Sequence, residues 1–223
     1  MIITHAENHL KIETVENQIP VLVLEHPHIF AEFVESLYLQ CAGNDGKVVI
    51  SENGKTLSLS KESILVFDYF ALDFNNRKIQ TRLFQQLQDI GSEFFESKEE
   101  FTRQGVEMME TILSASNFDH VEYDLDLDWK EIFKLFHVSV EEDYVSLPEK
   151  LISFLRICAE LLNLRMVVFV NLKAYLTEEE LGEFYQMAGY FKLQLLLIEA
   201  HESPALPQEK YYIIDKDRCL IIK

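Results

Sequence analysis

The residues best suited to chemistry in this chain are four carboxylates that alternate with uncharged residues. They lie between His120 and Glu131 and are Glu122, Asp124, Asp126 and Asp128. In an extended segment, residues two apart project from the same side, so these carboxylates would stand together and repel one another. A cation among them removes that repulsion, and hard oxygen donors favour Ca²⁺ or Mg²⁺. The spacing therefore predicts a divalent metal site at these four positions.

Two other interpretations of the acidic run are open. Asp128 and Glu131 have the spacing of a helix-capping pair, and the other acids could simply be solvated. A two-metal nuclease could use the same carboxylates to hold paired Mg²⁺ ions, although no lysine or histidine has a spacing that marks it as the acid or base. An EF-hand is excluded, because Trp129 occupies the place of its glycine and Leu135 that of its closing glutamate.

A second candidate for chemistry is Gly54-Lys55-Thr56, which has the form of the end of a phosphate-binding P-loop. That loop also needs a glycine where this chain has Val49, and a helix should follow, whereas residues 57–60 alternate like a strand. Asn53-Gly54 between two β-type runs is instead the strongest short signal for a hairpin. We therefore predict a β-hairpin formed by residues 47–51 and 55–59, and no nucleotide site.

The fold that must position these residues is predicted by the apolar pattern. Met166–Val170 and residues 193–198 are short apolar runs, which is typical of parallel strands buried on both faces. A capping box at Thr177 opens a helix between them, so this stretch predicts a βαβ unit with a right-handed crossover. Open α/β sheets bind polar ligands beside the carboxyl ends of their strands. Here the first of the two strands leads into Asn171 and the second into Glu199.

Strand-like sequence occupies both ends of the chain, and helical sequence occupies the middle. Further strands are expected at Ile19–Leu24 and 64–67, with a terminal hairpin at 211–222. From Asn75 onward, apolar residues at helical spacing predict two long amphipathic helices, and Ser146 marks the start of another. We therefore predict an α/β fold with a mostly parallel sheet, formed by residues 1–75 and 155–223, and a helical insertion at 76–154.

Composition limits the partners of this 223-residue chain. Its formal net charge is −18, so a nucleic-acid function requires a local basic surface or a metal that offsets the acid. The three cysteines form no Cys-x-x-Cys pair, which favours reduced thiols in the cytoplasm over disulfides or a zinc site. The longest apolar region, residues 151–170, is interrupted by charged residues, so no membrane-spanning helix is predicted.

Seven short segments follow one another in order through nearly the whole length of the chain. They are VLVLE at 21–25, ILVFD at 64–68, LDFN at 72–75, EYDLD at 122–126, MVVFVN at 166–171, AYLTEEEL at 174–181 and LLLIE at 195–199. In the order and spacing of these segments, the chain resembles the ring-forming Csn family of type II-A CRISPR spacer acquisition. Residues 76–118 match mainly in helical character.

The resemblance implies a non-catalytic, homotetrameric ring that acts in CRISPR adaptation, a part of antiviral defence. Each chain would have a head domain, related to P-loop ATPases but without their nucleotide site, and a helical leg. Calcium ions would shape the ring, and double-stranded DNA would enter its positively lined hole at free ends. The implied partners are the CRISPR integrase proteins and the effector nuclease. The implied calcium ligands are Glu122, Asp124 and Asp126, with Asp128 as a further one.

The resemblance also implies basic residues that contact DNA. We expect these among the cations outside the apolar stripes, which are Arg77, Lys78, Arg82, Lys47, Lys55, Lys130 and Lys134. The first three form the densest basic patch, within two helical turns. Such residues bind phosphates without reading base sequence. The remaining alternatives are a Mg²⁺-dependent nuclease that uses residues 122–131, and a protein–protein scaffold that does not bind DNA.

Overall fold

Two units make up the part of the chain that the structure describes. The computed structural model describes residues 1–5, 10–15, 17–117, 120–123 and 127–223. The first unit consists of Met1–Leu72 with Asp143–Lys223, and the second unit is Asp73–Glu142. The helix that begins after Ser146 belongs to the first unit, whereas the sequence analysis assigned residues 76–154 to the insertion.

The strands and helices of the described residues have the following bounds. The strands are β1 (Ile2–His5), β2 (Leu10–Glu13), β3 (Ile19–Leu24), β4 (Val48–Glu52), β5 (Lys55–Leu57), β6 (Ser63–Val66), β7 (Met166–Val170), β8 (Gln194–Glu199), β9 (Glu209–Ile214) and β10 (Leu220–Ile222). The α-helices are α1 (Pro27–Cys41), α2 (Leu59–Glu62), α3 (Arg77–Gly91), α4 (Phe95–Ser114), α5 (Trp129–Leu135), α6 (Leu147–Arg156) and α7 (Glu178–Tyr190). A 3-10 turn at Ser92–Phe94 separates α3 from α4.

A six-stranded sheet forms the centre of the first unit, in the order β10-β9-β3-β8-β7-β6. The five strands from β9 to β6 are parallel, and β10 pairs antiparallel with β9. Every residue of β3 and of β7 is buried, which explains their uninterrupted apolar sequence, because both faces of the sheet are covered. The predicted α/β fold with a mostly parallel sheet is therefore confirmed.

The hairpin predicted around Asn53-Gly54 is confirmed, because β4 and β5 pair antiparallel. Asn53 and Gly54 have φ values of 50° and 75°, as a tight two-residue turn requires. The prediction of strand character through residue 60 was wrong: β5 ends at Leu57 and α2 follows, because Leu59 turns into the core and is buried. These strands join β1 and β2 in a four-stranded antiparallel sheet. The strands β1 and β2 were not predicted from the sequence.

The predicted start of α7 is confirmed by a reciprocal pair of hydrogen bonds. Thr177 Oγ1 accepts from the backbone N–H of Glu180 at 3.3 Å, and Glu180 Oε2 accepts from the N–H of Thr177 at 2.8 Å. Such a capping box satisfies two backbone donors that the helix leaves free, and losing the cap typically costs about 1 kcal/mol. The helix then packs Phe184 against Phe169 of β7, with ring centroids 5.3 Å apart, and so covers one face of the sheet.

Aromatic contacts between α3 and α5 organise the second unit. Phe84 of α3 meets Phe133 of α5, with centroids 5.6 Å apart. Seven residues further along α3, Gly91 faces Trp129 at the start of α5, and a Cβ at Gly91 would lie 2.9 Å from the indole. Later residues of α3 therefore meet earlier residues of α5, so the two helices run in opposite directions. Glycine is required at position 91 because the indole occupies the space of a side chain.

The side chain of Asn75 joins the two ends of the second unit. Its Nδ2 donates to the backbone oxygen of Val140 at 3.0 Å, and its Oδ1 accepts from the Val140 N–H at 2.8 Å. The same Nδ2 also lies 3.0 Å from Glu142 Oε1. The amide thus pairs with Val140 as a backbone peptide group would, across 65 positions of sequence. This contact holds the beginning and the end of the inserted segment together.

Replacing Asn75 by alanine should destabilise the second unit selectively. The change removes both hydrogen bonds to Val140, so we expect a loss of about 1–3 kcal/mol. Native-state hydrogen exchange would measure it as reduced protection in α3 and α5, with protection in β3 and β7 unchanged. The matched control is Asn76→Asp, which keeps a side-chain acceptor at the N-cap of α3. Equal loss of protection in both variants would contradict the role given to Asn75.

Candidate nucleic-acid and metal sites

The polar residues at the carboxyl ends of β7 and β8 bind each other's turns. Asn171 has a left-handed backbone (φ 56°), and its Oδ1 accepts from the N–H of Ala200, after β8, at 3.0 Å. In return, Glu199 Oε1 accepts from the N–H of Lys173, after β7, at 3.1 Å. The two residues singled out as ligand candidates are therefore brought together, and each spends a side-chain oxygen on fixing the neighbouring turn.

Burial raises the pKa of the Glu199 carboxyl above that of an ordinary glutamate. Only 5% of its surface is exposed, and desolvation raises the pKa of its carboxyl to about 7, although the backbone N–H and the ammonium of Lys173 act in the opposite direction. A neutral carboxyl needs no counter-ion in this position. The folded protein therefore prefers protonated Glu199 at a pH where an exposed glutamate is fully ionised.

A buried ion pair, which the sequence analysis missed, lies between Lys173 and Glu209. Lys173 Nζ is 2.7 Å from Glu209 Oε2 and 2.7 Å from the hydroxyl of Tyr211, while Tyr185 donates to Glu209 Oε1 at 2.7 Å. Burial alone lowers the pKa of the Lys173 ammonium, but hydrogen bonds to Glu209 and Tyr211 outweigh it and raise that pKa. Lys173 and Glu209 lie 36 residues apart in the sequence, so no local sequence pattern predicts that they pair.

Three predicted DNA contacts lie together at the start of α3. Arg77 and Lys78 follow the N-cap Asn76, whose Oδ1 accepts from the N–H groups of Lys78 and Ile79. Arg82 lies one turn after Lys78, and all three cations are exposed. None of them forms an ion pair within the described part of the chain. Because a helix N-terminus is already positive, these cations concentrate positive potential at one end of α3.

The other predicted DNA contacts are divided between the two units. Lys130 and Lys134 are exposed residues one turn apart on α5, on the side opposite the buried Ile132, and they belong to the same unit as α3. Lys47 and Lys55 are exposed residues of the first unit, where Lys47 precedes β4 and Lys55 begins β5. The structure thus places five of the seven candidates in the helical unit.

The acidic run is only partly within the described residues. Asp124 and Asp126 lie outside them, and Glu122 is exposed. Asp128 is the N-cap of α5: its Oδ1 accepts from the N–H of Glu131 at 2.7 Å, and Glu131 Oε2 accepts from the N–H of Asp128 at 2.9 Å. The capping interpretation of Asp128 is therefore confirmed. Among the described residues, no three His, Cys, Asp or Glu side chains come close enough to hold a metal ion.

Comparison with known proteins decides the family. The family described as CRISPR-associated protein (Cas_Csn2) matches residues 40–218 of this sequence. The chain belongs to this family. CRISPR-associated protein Csn2 of Streptococcus agalactiae is 26% identical over 206 residues, which cover 90% of this chain and 89% of that protein. The resemblance inferred from the ordered segments is thus confirmed, and this Csn2-family chain is a CRISPR-associated protein. Within the described ranges, none of its helices combines the length and hydropathy that crossing a bilayer requires.

Glutamine at position 199 should stabilise the protein at alkaline pH. The folded-state pKa of Glu199, about 7, lies above the ordinary value of 4.5. The stability that this group contributes is therefore fully present below pH 4.5 and is lost as the pH rises through 7. Glu199→Gln keeps the acceptor oxygen without the charge, so we expect a gain of about 3 kcal/mol at pH 8 and almost none at pH 4.5.

Urea unfolding of the wild type and variant at several pH values would measure this difference. The matched control is Glu202→Gln, which also removes one carboxylate charge, but from a surface ion pair with Lys223, and it should not stabilise the protein at pH 8. A Glu199→Gln gain that is the same at pH 4.5 and pH 8 would show that ionisation of Glu199 is not its cause.

Proposed function

We propose that this chain binds double-stranded DNA at free ends, without catalysis, as a calcium-dependent homotetrameric ring in CRISPR adaptation. The observation that carries the proposal is the basic start of α3, where Arg77, Lys78 and Arg82 are exposed and form no ion pair with any described residue. The stretch 74–88 contains these three cations and no acidic residue. In a chain with a net charge of −18, we expect the phosphate backbone of DNA to bind at this stretch, because its cations attract phosphates and it contains no acid that repels them.

The acidic remainder of the protein does not prevent this binding. At physiological salt, exposed charges more than about 8–10 Å apart are largely screened, so a phosphate near α3 responds mainly to the local cations. Lys130 and Lys134 on α5 add a second basic row in the same unit, and Lys47 and Lys55 are further candidates in the first unit. In a homotetramer, four copies of these rows would contact one duplex by its phosphates, independently of base sequence.

Self-association is supported by the exposed apolar face of α4. This helix has 20 residues, and none of them is buried. Met108 and Ile112 are 58% and 53% exposed. Gly105 and Phe101 lie on the same side of α4, about one and two turns before Met108. The opposite side carries Arg103, paired with Glu100 and Glu107. Most of the stability of a helix in a protein comes from packing of its apolar side, so we assign the exposed apolar side of α4 to contacts between copies of the chain.

A groove beside α4 extends this apolar face. Its volume is about 520 Å³, and its lining residues are mostly apolar, including Phe101, Met109, Tyr123, Leu127 and Leu135. A side chain from a second copy would bury this surface, and each large apolar side chain buried contributes roughly 1.5–3 kcal/mol. The groove therefore supports a specific contact between copies of the chain at α4.

Calcium dependence is proposed from the carboxylates that precede α5. Glu122, Asp124 and Asp126 are the proposed ligands; Asp128 stays a candidate, with one carboxylate oxygen engaged in the cap. Tyr123, within the run, lies 3.4 Å from Glu110 of α4 through its hydroxyl. A bound ion would neutralise the repelling acids and so favour the position of this segment beside α4. The CRISPR integrase proteins and the effector nuclease remain the proposed protein partners.

Binding should require both a DNA end and calcium. Gel shifts would compare linear and covalently closed circular duplexes, each in Ca²⁺, in Mg²⁺ and in chelator. We expect complexes with linear DNA in Ca²⁺ only, because a closed circle cannot enter a ring. Equal binding of both forms would instead indicate an open groove. Shortening of the DNA in Mg²⁺ would indicate a nuclease, and no binding in any condition would favour the scaffold.

Removing the charges of α3 should weaken this binding. The variant Arg77→Gln/Lys78→Gln/Arg82→Gln should lower duplex affinity at least tenfold and flatten its salt dependence, because each lost phosphate contact reduces the slope by about 0.9. The control Lys61→Gln/Lys216→Gln/Arg218→Gln removes three exposed cations of the first unit. If both triple variants lose the same affinity, net charge rather than the α3 surface governs binding.

Placing charge on the apolar side of α4 should disrupt the oligomer. In Met108→Glu/Ile112→Glu, two carboxylates would be desolvated at the proposed contact, which costs several kcal/mol. Light scattering coupled to gel filtration should then show species smaller than the wild-type oligomer. Glu99→Gln/Glu107→Gln, on the charged side of α4, is the control. An unchanged mass for the Met108→Glu/Ile112→Glu protein would exclude this face as the contact.

A further inference from the structure

The strand β10 forms one edge of the six-stranded sheet. It pairs antiparallel with β9, and no described strand pairs with its other side. Its three residues are all large and apolar, and Leu220, Ile221 and Ile222 are 38%, 41% and 55% exposed. Natural proteins often protect such an edge with a charged residue or a proline in the strand. Because β10 contains neither, its edge is open to pairing with another strand.

The backbone groups that β10 leaves for such pairing are those of Leu220 and Ile222. Lys223, directly after the strand, exchanges two hydrogen bonds of 3.1 Å with Tyr211. In an antiparallel ladder, residues that exchange hydrogen bonds alternate with residues that do not. Ile221 therefore turns its N–H and C=O toward β9, whereas those of Leu220 and Ile222 point away from it. The outer side of β10 thus presents two donors and two acceptors.

This outer side is complementary to itself. Two copies of β10 can lie antiparallel about a two-fold axis at Ile221, which places Leu220 of each copy opposite Ile222 of the other. Each of these two pairs exchanges two hydrogen bonds, and the two Ile221 residues face each other between them in a close pair without hydrogen bonds. Arg218 stays outside this ladder, because its φ of 65° places it in the preceding turn. All the outward donors and acceptors of the strand are satisfied in this register.

The charge near β10 also permits a second copy to approach. Residues 210–223 contain four basic and two acidic residues, whereas the whole chain has a net charge of −18. Like charges directly opposite each other on neighbouring strands are destabilising. The register about Ile221 avoids this, because it places Lys223 of one copy opposite the uncharged Cys219 of the other. Lys223 is also paired with Glu202 of its own chain. The local charge therefore opposes this contact much less than the net charge would.

We propose that β10 pairs with β10 of a second copy and joins two six-stranded sheets into one continuous sheet. This inference rests on the proposed homotetramer and adds a contact to it. A two-fold contact joins two copies and then closes, so a tetramer built from two-fold contacts needs two different surfaces. The apolar side of α4 is the proposed contact in the second unit, and β10 supplies the other in the first unit.

Proline at the two outward positions tests this pairing. Leu220→Pro/Ile222→Pro removes both outward N–H donors and leaves the N–H groups of Ile221 and Lys223 for β9, and edge strands tolerate proline at such positions. Light scattering of the full chain should show four copies for the wild type and two for the variant. The control Thr56→Pro changes β5, the edge of the other sheet, and should keep the wild-type mass. Circular dichroism would establish that each variant is folded.

Disulfide cross-linking tests the register without proline. In Cys219→Ser/Ile221→Cys, the introduced thiols would face each other across the two-fold axis, with Cα atoms about 4.5 Å apart, a separation that a disulfide allows. The wild type is the matched control, because its exposed Cys219 would lie about 14 Å from its counterpart, four positions along the strands. After mild oxidation, non-reducing electrophoresis should show at least tenfold more linked dimer for the variant than for the wild type.

The outcomes separate this inference from the proposed homotetramer. Two copies for the proline variant, and single chains when Met108→Glu/Ile112→Glu is added to it, would support both contacts. The β10 contact is overturned if the proline variant keeps the wild-type mass, or if cross-linking through Ile221→Cys does not exceed that of the wild type. A wild type of only two copies that cross-links through Ile221→Cys would refute the homotetramer and support the β10 contact.

Discussion

The parallel pairing of β6 with β7 is the constraint on which the rest of the structure depends. Ser63 to Val66 pairs in register with Met166 to Phe169, although most of the helical sequence lies between the two strands. Closing so long a connection costs on the order of 4 kcal/mol in chain entropy. Two hydrogen bonds reinforce the closure near the strands: Tyr69 donates to the oxygen of Val170 at 2.5 Å, and Lys150 Nζ to that of Phe70 at 2.9 Å.

The two units differ in where their chemically distinctive groups lie. In the first unit, the charged groups of the interior have partners, as the Lys173–Glu209 pair shows. In the second unit, the cations of α3 and the apolar side of α4 face outward. An interior must pair its charged groups, because an unpaired buried charge costs several kcal/mol. Exposed groups carry no such requirement, so the inserted helices are free to present the surfaces that we propose for DNA and for self-association.

The acidic run illustrates how one set of residues can serve two purposes. Asp128 and Glu131 stabilise the start of α5 by a capping box, which needs no metal. Of the carboxylates before them, Glu122 is exposed, and Asp124 and Asp126 lie outside the described residues. Capping explains the final carboxylate of the alternating run and leaves the alternation itself to be explained by solvation or by a cation. Proposed calcium binding and the observed cap are therefore compatible.

The sequence by itself determined the elements whose cause is local. Uninterrupted apolar runs gave β3 and β7, Asn53-Gly54 gave the β4–β5 hairpin, and Thr177 gave the start of α7, because strand burial, turn geometry and capping act over a few residues. Ordered segments also sufficed to recognise the family, and the basic residues at 77–82 were visible as a cluster. The terminal hairpin followed from the same kind of pattern. Short β1 and β2 have too few residues to give a comparable signal.

Only the tertiary structure decided which distant residues meet. The side chain of Asn75 pairs with Val140, Lys173 with Glu209, and the turns after β7 and β8 exchange hydrogen bonds through Asn171 and Glu199. The tertiary structure also buries Leu59 in the core, where the alternating sequence predicted a strand. These contacts depend on strand order and crossover, and no periodicity within a window of sequence encodes which strand will lie beside another.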